Sequence, residues 1–156
     1  MKLAVRALAI LSIVFVYACG NENSDFCLSN QQSVQAGFYS SYALNDRDST
    51  VRNVFIYSLG VDSITYDTVT VNKIYLPLNL HKDTSQFIID INTLKDTITF
   101  VHSKELNFVS GECGFIFSLY LDTLYHSDVS FIDSVVIVND EIIYNENFEN
   151  VKIYLY

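Results

Sequence analysis

The sequence predicts an all-β protein, an antiparallel β-sandwich of about seven or eight strands behind an N-terminal signal helix. Hydrophobic residues recur with a period of two, not 3.6, along most of the chain. The alternating runs are rich in Val, Ile, Thr, Phe and Tyr, and clusters of Asn, Asp, Ser and Gly separate them. No amphipathic helical pattern follows the first 18 residues.

Residues 34–43 open the domain, with Val34, Ala36, Phe38, Ser40 and Tyr42 on one face. Further strands are expected at 51–59, 69–78, 86–91, 96–101, 114–124, 131–138 and 150–155. The run from Gly114 to Leu124 is apolar on both faces, which predicts a central position. Pro77 cannot donate to a ladder, so it belongs at the end of its strand or on an edge. Short strands at this spacing around one apolar strand argue for an immunoglobulin-like arrangement. No linker or low-complexity stretch divides residues 28–156, which are read as one domain large enough to bury a core.

The first 18 residues read as an export signal. Lys2 and Arg6 precede an almost unbroken apolar run from Ala7 to Ala18, and Cys19-Gly20 follows. A helix over Leu3 to Ala18 would cover only about 24 Å of a hydrocarbon core roughly 30 Å thick. That is short for a span and suited to cleavage after a small residue. Val16-Tyr17-Ala18-Cys19 resembles a bacterial lipobox, in which Ala18 supplies the small residue and Cys19 the thiol that takes the lipid. Residues 19–27 then form a tether. Glu22 and Asp25 behind the cysteine are a weak match to an outer-membrane surface signal.

Cleavage changes the charge balance. Losing Lys2 and Arg6 leaves seven basic against 18 acidic residues, so the net charge moves from −9 to −11. Such a surface repels phosphate backbones and anionic headgroups. Nucleic acid is excluded as a partner on this reading, and membrane attachment falls to the acyl chains.

The chain has three cysteines. If Cys19 carries lipid, Cys27 and Cys113 remain as an even pair, and outside the cytosol such a pair tends to oxidise. A bridge closing this loop stabilises by about 4 to 5 kcal/mol in the chain-entropy view. Two buried free thiols are the alternative. Neither cysteine has a Cys or His at ligand spacing, so no metal is expected there.

One recurrence exceeds ordinary turn chemistry. Asp, then Ser or Thr, then an aliphatic residue or Thr, begins at Asp48, Asp62, Asp67, Asp96, Asp122 and Asp133. Asp capping a turn before a β-branched strand opening accounts for such triplets structurally. They also match the O-glycosylation sequon of exported Bacteroidetes proteins, and Ser49, Ser63 and Thr68, near expected loops, are the candidate acceptors.

Specific blocks carry a resemblance. They are Gly60-Val61-Asp62-Ser63-Ile64, Ile74-Tyr75-Leu76-Pro77-Leu78-Asn79, Asp96-Thr97-Ile98-Thr99-Phe100, Phe108 to Phe115 through Glu112-Cys113-Gly114, Ile132-Asp133-Ser134-Val135, and Glu149-Asn150-Val151. In this order and spacing, from about Cys27 to the end, the chain resembles a family of uncharacterised Bacteroidetes lipoproteins classified only as a domain of unknown function. Gly111 departs from the family's proline. The resemblance implies export, lipidation and a paired Cys27 and Cys113, and it transfers no catalytic residue.

No cofactor is expected, because no P-loop, GxGxxG or Gly-x-Ser-x-Gly elbow occurs. His81, His102 and His126 lie in different segments. Glu112 beside Cys113 opposes the positive surroundings a nucleophilic thiol needs. The acidic loop groups Asp46 with Asp48, Asp128 with Asp133, and Asp140 with Glu141 lack the spacing of a dedicated Ca²⁺ loop. Two function classes result. The first is a non-catalytic envelope lipoprotein binding a protein or glycan partner. The second is a glycan-processing or other hydrolase with a site assembled from dispersed Asp, Glu and His. A pocket holding two carboxylates about 5 to 10 Å apart would favour the hydrolase, and an exposed aromatic patch without such a pair would favour binding.

Overall fold

The structure is a computed structural model and describes residues 33–60, 63–111, 114–127, 131–142 and 148–156. The expected signal segment and tether lie outside the described residues. Ten strands are present, and no helix occurs among the described residues: β1 (Ser33–Ser40), β2 (Val51–Ser58), β3 (Ile64–Val71), β4 (Lys73–Pro77), β5 (Thr84–Ile91), β6 (Leu94–Ser110), β7 (Gly114–His126), β8 (Ile132–Ile137), β9 (Glu141–Ile142) and β10 (Val151–Leu155). They form a four-stranded sheet in the order β4-β1-β10-β8 and a six-stranded sheet in the order β3-β2-β5-β6-β7-β9. The two sheets give the all-β, sandwich-like arrangement that the period-two pattern predicts.

Alternation decides which face of each strand is buried. In β1 the even positions Val34, Ala36 and Phe38 are fully buried, and in β10 the odd positions Val151 and Ile153 are. They face Val54 and Ile56 of β2, Phe87 and Ile89 of β5, and Ile98 and Phe100 of β6 in one apolar cluster. Phe87 and Phe100 meet edge to face, 6.0 Å between centroids, a geometry that adds to their area burial.

Four details differ from the sequence expectations. β1 pairs with β10 in parallel, Ala36 opposite Val151 and Ser40 opposite Leu155, while the other strand pairs run antiparallel. β1 stops at Ser40, where the Ala43 amide closes a turn onto the Ser40 carbonyl, so Tyr42 leaves the strand face and is exposed. The expected strand over 69–78 is two strands: the chain leaves the six-stranded sheet after Val71 and enters the four-stranded one at Lys73. At the corner the Asn72 carbonyl accepts the Phe38 amide hydrogen at 3.0 Å. Pro77 ends β4, itself an edge strand, where its missing donor costs nothing.

The fourth is β7. It is not central but lies beside β9, a strand of two residues, and only Leu119 and Leu121 of it are buried. Its length is used instead in a long hairpin with β6, paired from Ile98 opposite His126 to Ser110 opposite Gly114.

Candidate functional site

The outer face of the six-stranded sheet carries an aromatic cleft. Phe55 and Tyr57 sit two residues apart on β2, so both project to the side away from the core. Their centroids are 5.7 Å apart. Phe55 is opposite Asp90 of β5, which is opposite Lys95 of β6. Lys95 Nζ lies 3.6 Å from Asp90 Oδ2 and 6.0 Å from the centre of the Tyr57 ring. Gly60 turns the chain at φ 82°, a left-handed conformation that favours glycine. Ser58, Leu59, Gly60, Ser63 and Ile64 complete the wall of a cleft of about 700 Å³. An aromatic floor with one cation and a hydroxyl rim suits stacking and hydrogen bonding to a polar ligand with apolar faces.

A second polar centre lies on the outer face of the four-stranded sheet. Tyr39 donates its hydroxyl to the Glu149 carboxylate, with Oε1 at 2.8 Å and Oε2 at 3.0 Å. Burial first, then this carboxylate, pushes the phenol far above its usual range. Lys152 lies 5.0 Å from the Tyr39 ring centre and pairs with Asp46. The Tyr154 hydroxyl donates to Asp46 Oδ1 at 2.9 Å. These two donors hold the Asp46 carboxyl below its ordinary value. Each polar group here is matched by another of the same chain, so the cluster fastens the loop after β1 to the sheet.

A third pair was not visible in the sequence. Ser85 of β5 and His102 of β6 meet with Oγ 3.0 Å from Nε2, and the Asn79 amide donates to the same Oγ at 2.8 Å. A Ser and His at this distance suggest a nucleophile and its base. Both are buried, at 5% and 1% exposure, and Nδ1, where a catalytic triad places its carboxylate, has no hydrogen-bond partner. Burial pushes the imidazole below its ordinary pKa, so it stays neutral near pH 7. This pair fills a polar hole in the core.

The sequence-derived sites fall as follows. Cys19, Cys27 and Cys113 lie outside the described residues. Ser63 is exposed at the rim of the aromatic cleft. Thr68 is exposed on the edge strand β3 at φ 51°, with its hydroxyl donated to Asp67 Oδ1 at 3.1 Å. Ser49 is half-buried, and its amide donates to the Phe38 carbonyl. Asp96 does not cap a turn of its own but lies within β6, and its buried carboxylate accepts the amides of the distant Phe131 at 2.8 Å and Ile132 at 3.0 Å and the Ser127 hydroxyl at 3.1 Å. His81 is exposed, His102 buried and His126 half-buried, each on a different part of the fold. Among the described residues no cluster of His, Cys, Asp and Glu could hold a metal ion, and no helix is long and apolar enough to cross a membrane.

Comparison with known proteins extends these blocks to a family. No curated protein and no solved structure matches the chain. The match to the family begins in β2 and ends in β10, taking in the aromatic cleft, the Ser85 and His102 pair and the Asp96 carboxylate. The chain belongs to the family of unknown function DUF6452, which matches residues 53–155.

Proposed function

We propose that this protein is a non-catalytic envelope lipoprotein, a β-sandwich tethered by lipid on Cys19 and binding a protein or glycan partner through the cleft around Phe55, Tyr57 and Lys95. Support for the tether comes from the short apolar leader ending in Ala18-Cys19. The observation that carries the binding reading is the cleft itself, an aromatic surface left open on the outer face of β2, whose inward residues Val54 and Ile56 are buried in the core. Outward aromatic residues beside a cation are typical anchors of recognition surfaces. With the leader removed, the net charge of −11 disfavours polyanionic partners.

In this reading Cys27 and Cys113 are bridged, the lipid places the domain at the outer membrane, and Ser49, Ser63 and Thr68 are glycan acceptors. Ser63 borders the cleft, so a glycan there would alter access to it. Photocrosslinking capture from native membranes tests the binding reading. A species captured by the wild type and lost with Phe55→Ala and Tyr57→Ala supports it, and capture unchanged by both substitutions overturns it.

A further inference from the structure

The hairpin of β6 and β7 outgrows the sandwich. In an antiparallel pair, directly opposed residues point to the same side of the sheet. His102 opposes Leu121 and Lys104 opposes Leu119, and His102, Leu121 and Leu119 are buried in the core. The same side continues with Leu106 opposite Phe117 and Phe108 opposite Phe115. Of these, Leu106, Phe108 and Phe115 are 58%, 63% and 60% exposed. Phe108 and Phe115 touch only edge to face, at 5.3 Å. The other side of this arm mixes Ser103, Glu105, Asn107 and Ser118 with Ile116 and Tyr120, and Asn107 donates to Ser118 Oγ at 2.8 Å. The arm thus carries the core-facing side of β6 and β7 on to residues that are exposed.

The chain entering β1 reaches the same end of the sandwich. Ser33 is opposite Pro77, and three residues beyond Pro77 the Leu80 carbonyl accepts Lys104 Nζ at 2.7 Å, where the arm begins. A segment continuing the line of β1 before Ser33 would enter this end of the sandwich, beside the arm. Parity agrees, because the inward positions of β1 are the even ones, Val34, Ala36 and Phe38. Two residues of the polar stretch before β1 are large and apolar and share that parity, Phe26 and Leu28. Length permits it, since at about 3.3 Å per residue the five to seven residues from Ser33 back to Leu28 and Phe26 span roughly 17 to 23 Å, enough to pass Leu106 and Phe108, about 7 and 13 Å beyond Lys104.

We propose that the segment before β1 docks Phe26 and Leu28 on the inner face of the β6 and β7 arm, against Leu106, Phe108, Phe115 and Phe117. The contact is non-covalent and requires neither lipid nor a bridge at Cys27. It covers core-side apolar groups of the six-stranded sheet that are exposed among the described residues, Leu106, Phe108 and Phe115.

The test places benzoylphenylalanine at position 26 of the full chain, with Cys27→Ser and Cys113→Ser so that no bridge enforces proximity. Photocrosslinks within one chain to 106–108 or 115–117 are expected. Crosslinks joining two copies, adducts confined to lipid, or adducts that miss the arm overturn the proposal. An arm crosslink that forms only with both cysteines present also overturns it, while leaving the bridge intact. Hydroxyl-radical footprinting of the wild type provides a second readout: Phe26→Ser with Leu28→Ser should raise modification of Phe108 and Phe115 severalfold, and unchanged modification is evidence against docking.

Discussion

Asn150 Oδ1 accepts the amide hydrogen of Gln35 at 3.1 Å, joining residues 115 apart in the sequence at the point where β10 begins to run beside β1. The backbone repeats the link, with the Asn150 amide donating to the Gln35 carbonyl at 2.9 Å. The same side chain donates to the carbonyls of Asn139 at 3.2 Å and Glu141 at 2.9 Å. One buried amide therefore ties β1, β10 and the turn between β8 and β9. It is the middle residue of the Glu149-Asn150-Val151 block.

Asn150→Ala should cost about 3 kcal/mol, since each buried hydrogen bond contributes roughly 1 kcal/mol and the backbone groups left behind are shielded from water. Urea unfolding measures this as a lower midpoint with an unchanged slope. A loss under 1 kcal/mol would show that water replaces the side chain.

Asp96→Ala should cost about 2 to 4 kcal/mol, because hydrogen bonds to a charged acceptor are stronger than neutral ones and two backbone amides lose theirs together. Hydrogen exchange would localise the effect, with the amides of Phe131 and Ile132 losing protection before those of β5.

Gly37 is small because Glu149 lies over it. A Cβ at position 37 would overlap Glu149 Oε2 and come within 2.9 Å of the Tyr39 ring. Gly37→Ala should destabilise by about 1 to 3 kcal/mol, as overpacking does. In a Glu149→Ala background the penalty should shrink, and a double-mutant cycle reads the difference as coupling. Strict additivity would place the clash elsewhere.

The pH response follows from His102. Its folded pKa lies below the ordinary value, so as pH falls the unfolded chain takes up a proton near pH 6.5 that the fold resists. The stability due to the neutral ring is fully present above that pH and is lost progressively as pH drops toward the folded pKa. The melting temperature of the wild type should therefore fall between pH 7.5 and 5.5. His102→Gln removes the titrating group, so its melting temperature should vary less over that window.

How far these features could be read in advance depends on whether alternation reports them. Val34, Ala36 and Phe38 alternate cleanly, and their strand was legible. The break at Asn72 was legible in principle, because large apolar residues shift from odd positions, Val69 and Val71, to even ones, Ile74 and Leu76. That shift is what changing sheets requires, and a continuous β-rich run concealed it. Residues 114–124 misled because apolar side chains on both faces mark a central strand or an uncovered arm equally well. Ser85 with His102, and Phe55 with Lys95, were not legible, because their meeting depends on which strands pair and in what register. No local pattern encodes that.

The parallel pairing of β1 with β10 also governs the order of assembly. In the four-stranded sheet β10 stands between β1 and β8, and it is the last strand of the sequence. Until residues 151–155 have left the ribosome or crossed a translocon, β1 has only β4 beside it and β8 has no neighbour in this sheet. Contacts that span the chain form late. For a protein proposed to cross a membrane before it folds, this means the four-stranded sheet stays open until residues 151–155 have been delivered.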